Sequence, residues 1–116
     1  MNHTGSCHCG RIAFSVEGEI GTVIDCNCSI CRRRGHLLAF FPRSALTLHT
    51  PEADLATYTF NRHAIRHRFC PVCGCGPFGE GVDPNSGEAT VAINVRFLPD
   101  VDLASLEVMP FDGAGM

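Results

Sequence analysis

Residues 25–35 read DCNCSICRRRG, and the three cysteines in that stretch, Cys26, Cys28 and Cys31, organise the rest of the chain. They fall in the pattern C-x-C-x-x-C. Two other cysteine groups flank them: Cys7 and Cys9 in CHCG, and Cys70, Cys73 and Cys75 in CPVCGCG. Thiols one residue apart bridge each other poorly, but two thiolates so placed can grip one tetrahedral ion. A C-x-x-C turn does the same, with Zn–S bonds of about 2.3 Å. In a secreted chain eight cysteines in 116 residues would suggest disulfides; in a reducing compartment they point to metal.

Composition fits one domain spanning residues 1–116, with its core at about 3–110. The hydrophobic fraction of 45% is ordinary, and the net charge is −3. That charge argues against a nucleic-acid binder. All nine basic residues are arginine, so lysine-based covalent chemistry is excluded. No apolar run approaches the roughly 20 residues that span a bilayer, and the polar stretch 1–6 does not read as a signal peptide. The expected location is the cytoplasm, with no membrane partner.

Away from the cysteines the pattern is that of short strands. Ile12, Phe14 and Val16 alternate with polar neighbours, and residues 22–25 read as a second strand leading into the triplet. Residues 29–34 predict a helical turn, with Ser29 as N-cap and Gly35 as its stop. The apolar run 37–41 reads as a buried strand ended by Pro42, and 45–49 as another. Residues 55–61 and 65–69 predict a hairpin turning at 61–63, with Ile65, His67 and Phe69 on one face and Arg66 and Arg68 opposite. Val91, Ile93, Val95 and Phe97 share a face of a last strand over 90–98, residues 102–106 predict one helical turn, and 110–116 reads as a loose tail. Seven or eight short strands with no long amphipathic helix predict an all-β domain of short antiparallel sheets stapled by zinc.

Spacing also suggests how the cysteines divide. Cys7 and Cys9 with Cys70 and Cys73 make a closed four-thiolate site, which is structural. Cys26, Cys28 and Cys31 supply three ligands and leave one tetrahedral position for water or substrate, as in catalytic zinc. Spacing alone leaves this second site open to other readings. Cys75 or a histidine could close it as a fourth ligand, or the C-x-x-C could cycle as a redox pair.

The order CHCG, strand, CNCSICRRRG, then FCPVCGCGPF resembles the glutathione-dependent formaldehyde-activating enzyme family, which also includes centromere protein V. The resemblance runs from about Cys7 to Val95. It implies a twisted all-β architecture of small sheets, the β-tent. It also implies two zinc ions per chain: a structural one on Cys7, Cys9, Cys70 and Cys73, and a catalytic one on Cys26, Cys28 and Cys31. The implied activity is that of a carbon–sulfur lyase, S-(hydroxymethyl)glutathione synthase, which joins glutathione to formaldehyde. The expected partner is a small thiol or carbonyl, and the alternative is a non-catalytic zinc module.

Near the triplet, one or two of Arg32, Arg33 and Arg34 are candidate contacts for a substrate carboxylate or phosphate, Arg32 and Arg33 foremost. His36 is a candidate general acid or base. Asp25 could orient a ligand. The bland readings are a solvated charge run, a strand-edge histidine and an exposed carboxylate. Phe40, Phe41, Phe60, Phe69 and Phe78 read as core.

Overall fold

The alternating stretch around Phe14 builds the first sheet. In the computed structural model, which describes residues 1–115, β1 (Asn2–Ser6) and β2 (Ala13–Glu17) run antiparallel, pairing Asn2 with Glu17 and Ser6 with Ala13. After β2 come β3 (Thr22–Cys26), the helical turn α1 (Cys31–Arg34), β4 (Leu38–Pro42) and β5 (Leu46–Leu48). Then follow β6 (Ala56–Tyr58), β7 (Arg66–Phe69), β8 (Phe78–Val82), β9 (Ala89–Asn94) and β10 (Glu107–Phe111). Strands β1, β2 and β5 form one sheet. The other has the order β10-β3-β4-β9-β8-β7-β6. The protein is therefore mostly β, in sheets of short strands, as its pattern of alternation and turn residues predicts.

The two sheets share one apolar interior. Phe14 and Val16 of the first sheet and Ile12 just before it are fully buried, as are Val91 and Ile93 of the second and Val95 just after it. The Phe14 ring meets Phe78 edge-on at 6.1 Å and Phe97 at 6.2 Å, and edge-to-face pairs add about 0.5–1.5 kcal/mol beyond the area they bury. Cys7 and Cys70 belong to this same cluster. The group formed by Cys7, Cys9, Cys70 and Cys73 therefore grows out of the core itself.

Three strands escape the pattern reading. β1 is NHTGS, with no apolar alternation, and earns its place by main-chain pairing; its buried His3 lies 3.0 Å from Asp100 Oδ2. β8 is FGEGV, whose glycines carry little strand propensity. β10 takes in Pro110 and Phe111, the first two residues of the expected loose tail, and all five of its residues are exposed. It pairs with β3 in parallel, so the sheets are not all antiparallel. Met116 lies outside the described residues.

Other expectations are corrected. Ser29 does not cap α1: the N-cap is Ile30, and no side chain caps the turn. Gly35 does stop it, with the left-handed φ of 68° that glycine tolerates best. Phe40 is 58% exposed rather than core, because alternate residues of β4 face opposite ways. Residue 95 begins a short 3₁₀ turn instead of continuing the strand.

Arg68, on the face opposite His67 and Phe69, is only 5% exposed. Its Nη1 donates to Glu80 Oε1 at 2.8 Å and to Glu52 Oε1 at 3.3 Å. Arg43 and Arg66 reach the other Glu80 oxygen at 3.0 and 3.4 Å. The buried charges on β7 and β8 are thus paired, which is what makes their burial tolerable.

Candidate metal centres

The first centre joins the two ends of the core. Cys7 and Cys9 sit on the turn after β1, where Cys7 N–H donates to Ile12 O at 2.9 Å and Gly10 N–H to Cys7 O at 3.1 Å. Cys70 and Cys73 sit on the knuckle after β7. There Gly74 N–H donates to Cys70 O at 2.8 Å, and Cys70 N–H to Cys75 O at 3.0 Å. All four sulfurs lie within 4.8 Å of one another. The Cys7–Cys9 and Cys9–Cys70 sulfur separations are both 3.6 Å. Tetrahedral zinc with bonds of about 2.3 Å requires sulfurs about 3.8 Å apart, whereas a disulfide requires about 2.05 Å. The donor set therefore fits a zinc-type ion and not a disulfide.

The backbone prepares these thiols. N–H groups of Cys75 and Cys9, in that order, hold Cys73 down to about 5. The Cys73 and Val72 N–H groups likewise lower Cys70, Cys73 N–H lying 3.5 Å from Cys70 Sγ. Cys9, although the Arg11 N–H favours its thiolate, is pushed up to about 11 by burial and by Cys70, Cys7 and Cys73. Crowded like charges resist ionising together, and a divalent cation would hold all four as thiolates.

The second centre is local. β3 ends at Cys26 and α1 begins at Cys31, so a single bend delivers Cys26, Cys28 and Cys31. Arg32 N–H to Cys28 O at 3.0 Å and Gly35 N–H to Cys31 O at 2.8 Å fix the turn. The three sulfurs lie within 4.8 Å of one another, and no fourth ligand atom joins them among the described residues. Burial raises Cys28, but the backbone N–H of Cys31 and the thiols of Cys31 and Cys26 outweigh it, leaving its pKa below the ordinary cysteine value. Burial, with Cys28 and Cys26 nearby, pushes Cys31 up.

Of the residues singled out near the triplet, His36 comes closest. It is buried, with Nε2 3.2 Å from Cys31 Sγ. Burial first, then the charges of Arg34 and His67, lower its pKa to about 4. Cys75 goes elsewhere: its neighbours are His8 N–H, Cys73 and Cys7, so it stands beside the four-cysteine group. Arg33 Nη1 donates to Ser29 O at 2.8 Å. Arg32 lines a shallow hollow with Asp25, Cys26, Asn27 and Phe111. Phe41 and Phe78 are core, while Phe60 and Phe69 are half-buried near α1.

The placement of two features was not legible in the sequence. Arg34 lies 5.8 Å over the Phe69 ring and close against Gly76, and its charge bears on His36 and His67. With Arg33, Ser29, Ile30, Tyr58 and Phe60 it lines a hollow of about 440 Å³ beside the triplet. Its position third in RRR gave no signal separating it from Arg32 and Arg33. The other feature is residues 107–115, which run beside the triplet; a glycine-rich segment carries no pattern that places it there.

The fold and the clusters define a class first: small β proteins built around two groups of cysteines that fit zinc. Within that class, residues 2–107 match the family model described as glutathione-dependent formaldehyde-activating enzyme, and the chain belongs to that family. The fold is also similar to the crystal structure of a Rhodobacter sphaeroides protein, at 28% identity and a TM-score of 0.77, over 91% of this chain and 99% of that one. No helix among the described residues is long and apolar enough to cross a membrane.

Proposed function

We propose that the protein is a zinc-dependent enzyme that joins a thiol to a small carbonyl, with glutathione and formaldehyde as the first pair to test. The observation that carries this reading is the three-sulfur cluster, which has no fourth ligand among the described residues. The four-cysteine group is the structural site and the triplet the reactive one. Zinc held by the triplet would supply Lewis acidity and stabilise a thiolate at neutral pH. In the reaction the thiol S–H adds across the C=O bond. A C–S bond forms, the carbonyl π bond breaks, and the thiol proton ends on oxygen, so no oxidant or reductant is required.

The chain's own residues divide the remaining work. Cys26, Cys28 and Cys31 would hold the metal, and His36 Nε2, 3.2 Å from Cys31 Sγ, is placed to orient that ligand. Neutral at physiological pH, His36 acts as a positioning residue better than as a general acid. Arg32 and Arg33, with Arg34 beside them, offer guanidinium groups to substrate carboxylates. Eight thiols free of disulfides suit a reducing cytoplasm.

Exchange NMR of glutathione and formaldehyde, with and without protein, tests this reading. The protein should accelerate adduct formation and breakdown, and Cys28→Ser should abolish the effect. A zinc-loaded wild type that leaves the exchange rate unchanged removes this substrate pair.

A further inference from the structure

The segment 107–115 lies against the triplet in a way the family assignment does not explain. β10 pairs with β3 from Glu107 opposite Thr22 to Phe111 opposite Cys26, so it ends alongside the first ligand of the triplet. Asn27, between Cys26 and Cys28, then fastens it. Asn27 N–H donates to Phe111 O at 3.1 Å, its Nδ2–H to Asp112 Oδ1 at 3.1 Å, and its Oδ1 accepts Ala114 N–H at 2.9 Å. Gly113 is pressed onto the cysteines: a Cβ there would lie 2.6 Å from Cys26 Sγ and 3.1 Å from Cys28 Cβ. The Gly113 φ is not in the left-handed region. Glycine is needed there for space, not for backbone freedom.

We infer that residues 107–115 form a strap that walls the Cys26/Cys28 flank of the triplet, with Gly113 and Asn27 as its positioning residues. The strap slows loss of metal from that site and shields Cys26 from reagents in solution. It rests on main-chain pairing and one asparagine clasp, because every side chain of β10 is exposed. An element held in this way opens at low cost compared with the core. The strap is therefore the adjustable wall of the site. The opposite wall, buried His36 against Cys31, is fixed by packing.

The part concerning metal rests on the zinc proposed for the triplet, so the test reads the strap in two ways. Wild type, Gly113→Ala and Asn27→Ala are compared as purified. One reading is zinc transfer to a chromogenic chelator; the other is alkylation of Cys26, with hydrogen exchange at the Asn27 amide. Gly113→Ala forces the strap off the sulfur, so one zinc should leave roughly tenfold faster or more. The Asn27 amide should exchange faster, while the second zinc and the thermal midpoint hold. Asn27→Ala should move the same readings in the same direction. Unchanged zinc release and unchanged exchange in both variants would overturn the strap. If wild type proves to hold only the four-cysteine zinc, the proposed activity falls, but the strap is still decided. Faster Cys26 alkylation in Gly113→Ala then supports it, and an equal rate overturns it.

Discussion

The two cysteine clusters use the same donor atoms, yet they stand in opposite relations to the fold. One draws Cys9 and Cys70 together across 61 residues; the other takes all its sulfurs from the single bend between Cys26 and Cys31. By the loop-entropy argument used for disulfides, a crosslink closing about 60 residues stabilises by about 4 kcal/mol, and one closing about six by about 2. Cys7 and Cys70 are also part of the hydrophobic core, although Cys9 is exposed; none of the triplet belongs to that core, Cys31 being buried apart from it and Cys26 and Cys28 half-buried. On the proposed reading, ligand spacing along the chain separates a metal that would hold the fold from one that the fold could present to a substrate.

The sharpest way to break this comparison is to remove one ligand from each cluster. Cys73→Ser should abolish cooperative unfolding, since a structural zinc contributes on the order of ten kcal/mol, comparable with the total stability of a domain. Near-ultraviolet circular dichroism reads the loss. Cys28→Ser should retain a cooperative transition while zinc content falls from about two ions per chain to about one, read by calorimetry and metal analysis. Equal unfolding in both would mean two structural sites.

A smaller effect sharpens what else supports the knuckle. Glu80→Ala would leave Arg43, Arg66 and buried Arg68 facing one another beside the strands that flank Cys70. Urea denaturation should show a loss of about 3–5 kcal/mol. A loss below about 1 kcal/mol would class the cluster with exposed ion pairs. The smallest effect is assigned to Cys75→Ser. Zinc content should not change, and stability should move by about 1 kcal/mol or less. Loss of an ion from the triplet would make Cys75 its fourth ligand after all.

What the sequence disclosed follows the same division. Cysteine spacing is a local signal, and it sorted all seven cluster members into groups whose sulfurs do converge. The strands around Phe14 and Ile93 were legible because large apolar residues recur at every second position, where they are fully buried. β1, β8 and β10 were illegible for different reasons. β1 and β10 are held by main-chain hydrogen bonds, which every residue type supplies. β8 hides a charge among glycines because its partners, the three arginines, come from other segments. The burial of Arg68 was hidden for the same reason. The placement of Gly113 on Cys26 depends on a contact between residues far apart in sequence, which no periodicity records.

The central claim, one closed and one open metal site, is tested most directly by replacing zinc with cobalt and adding a thiol. The account predicts two cobalt ions per chain with thiolate-type visible spectra, of which one shifts on addition of glutathione. That shift should disappear in Cys28→Ser. Two fully loaded sites whose spectra stay unchanged at saturating thiol would contradict it.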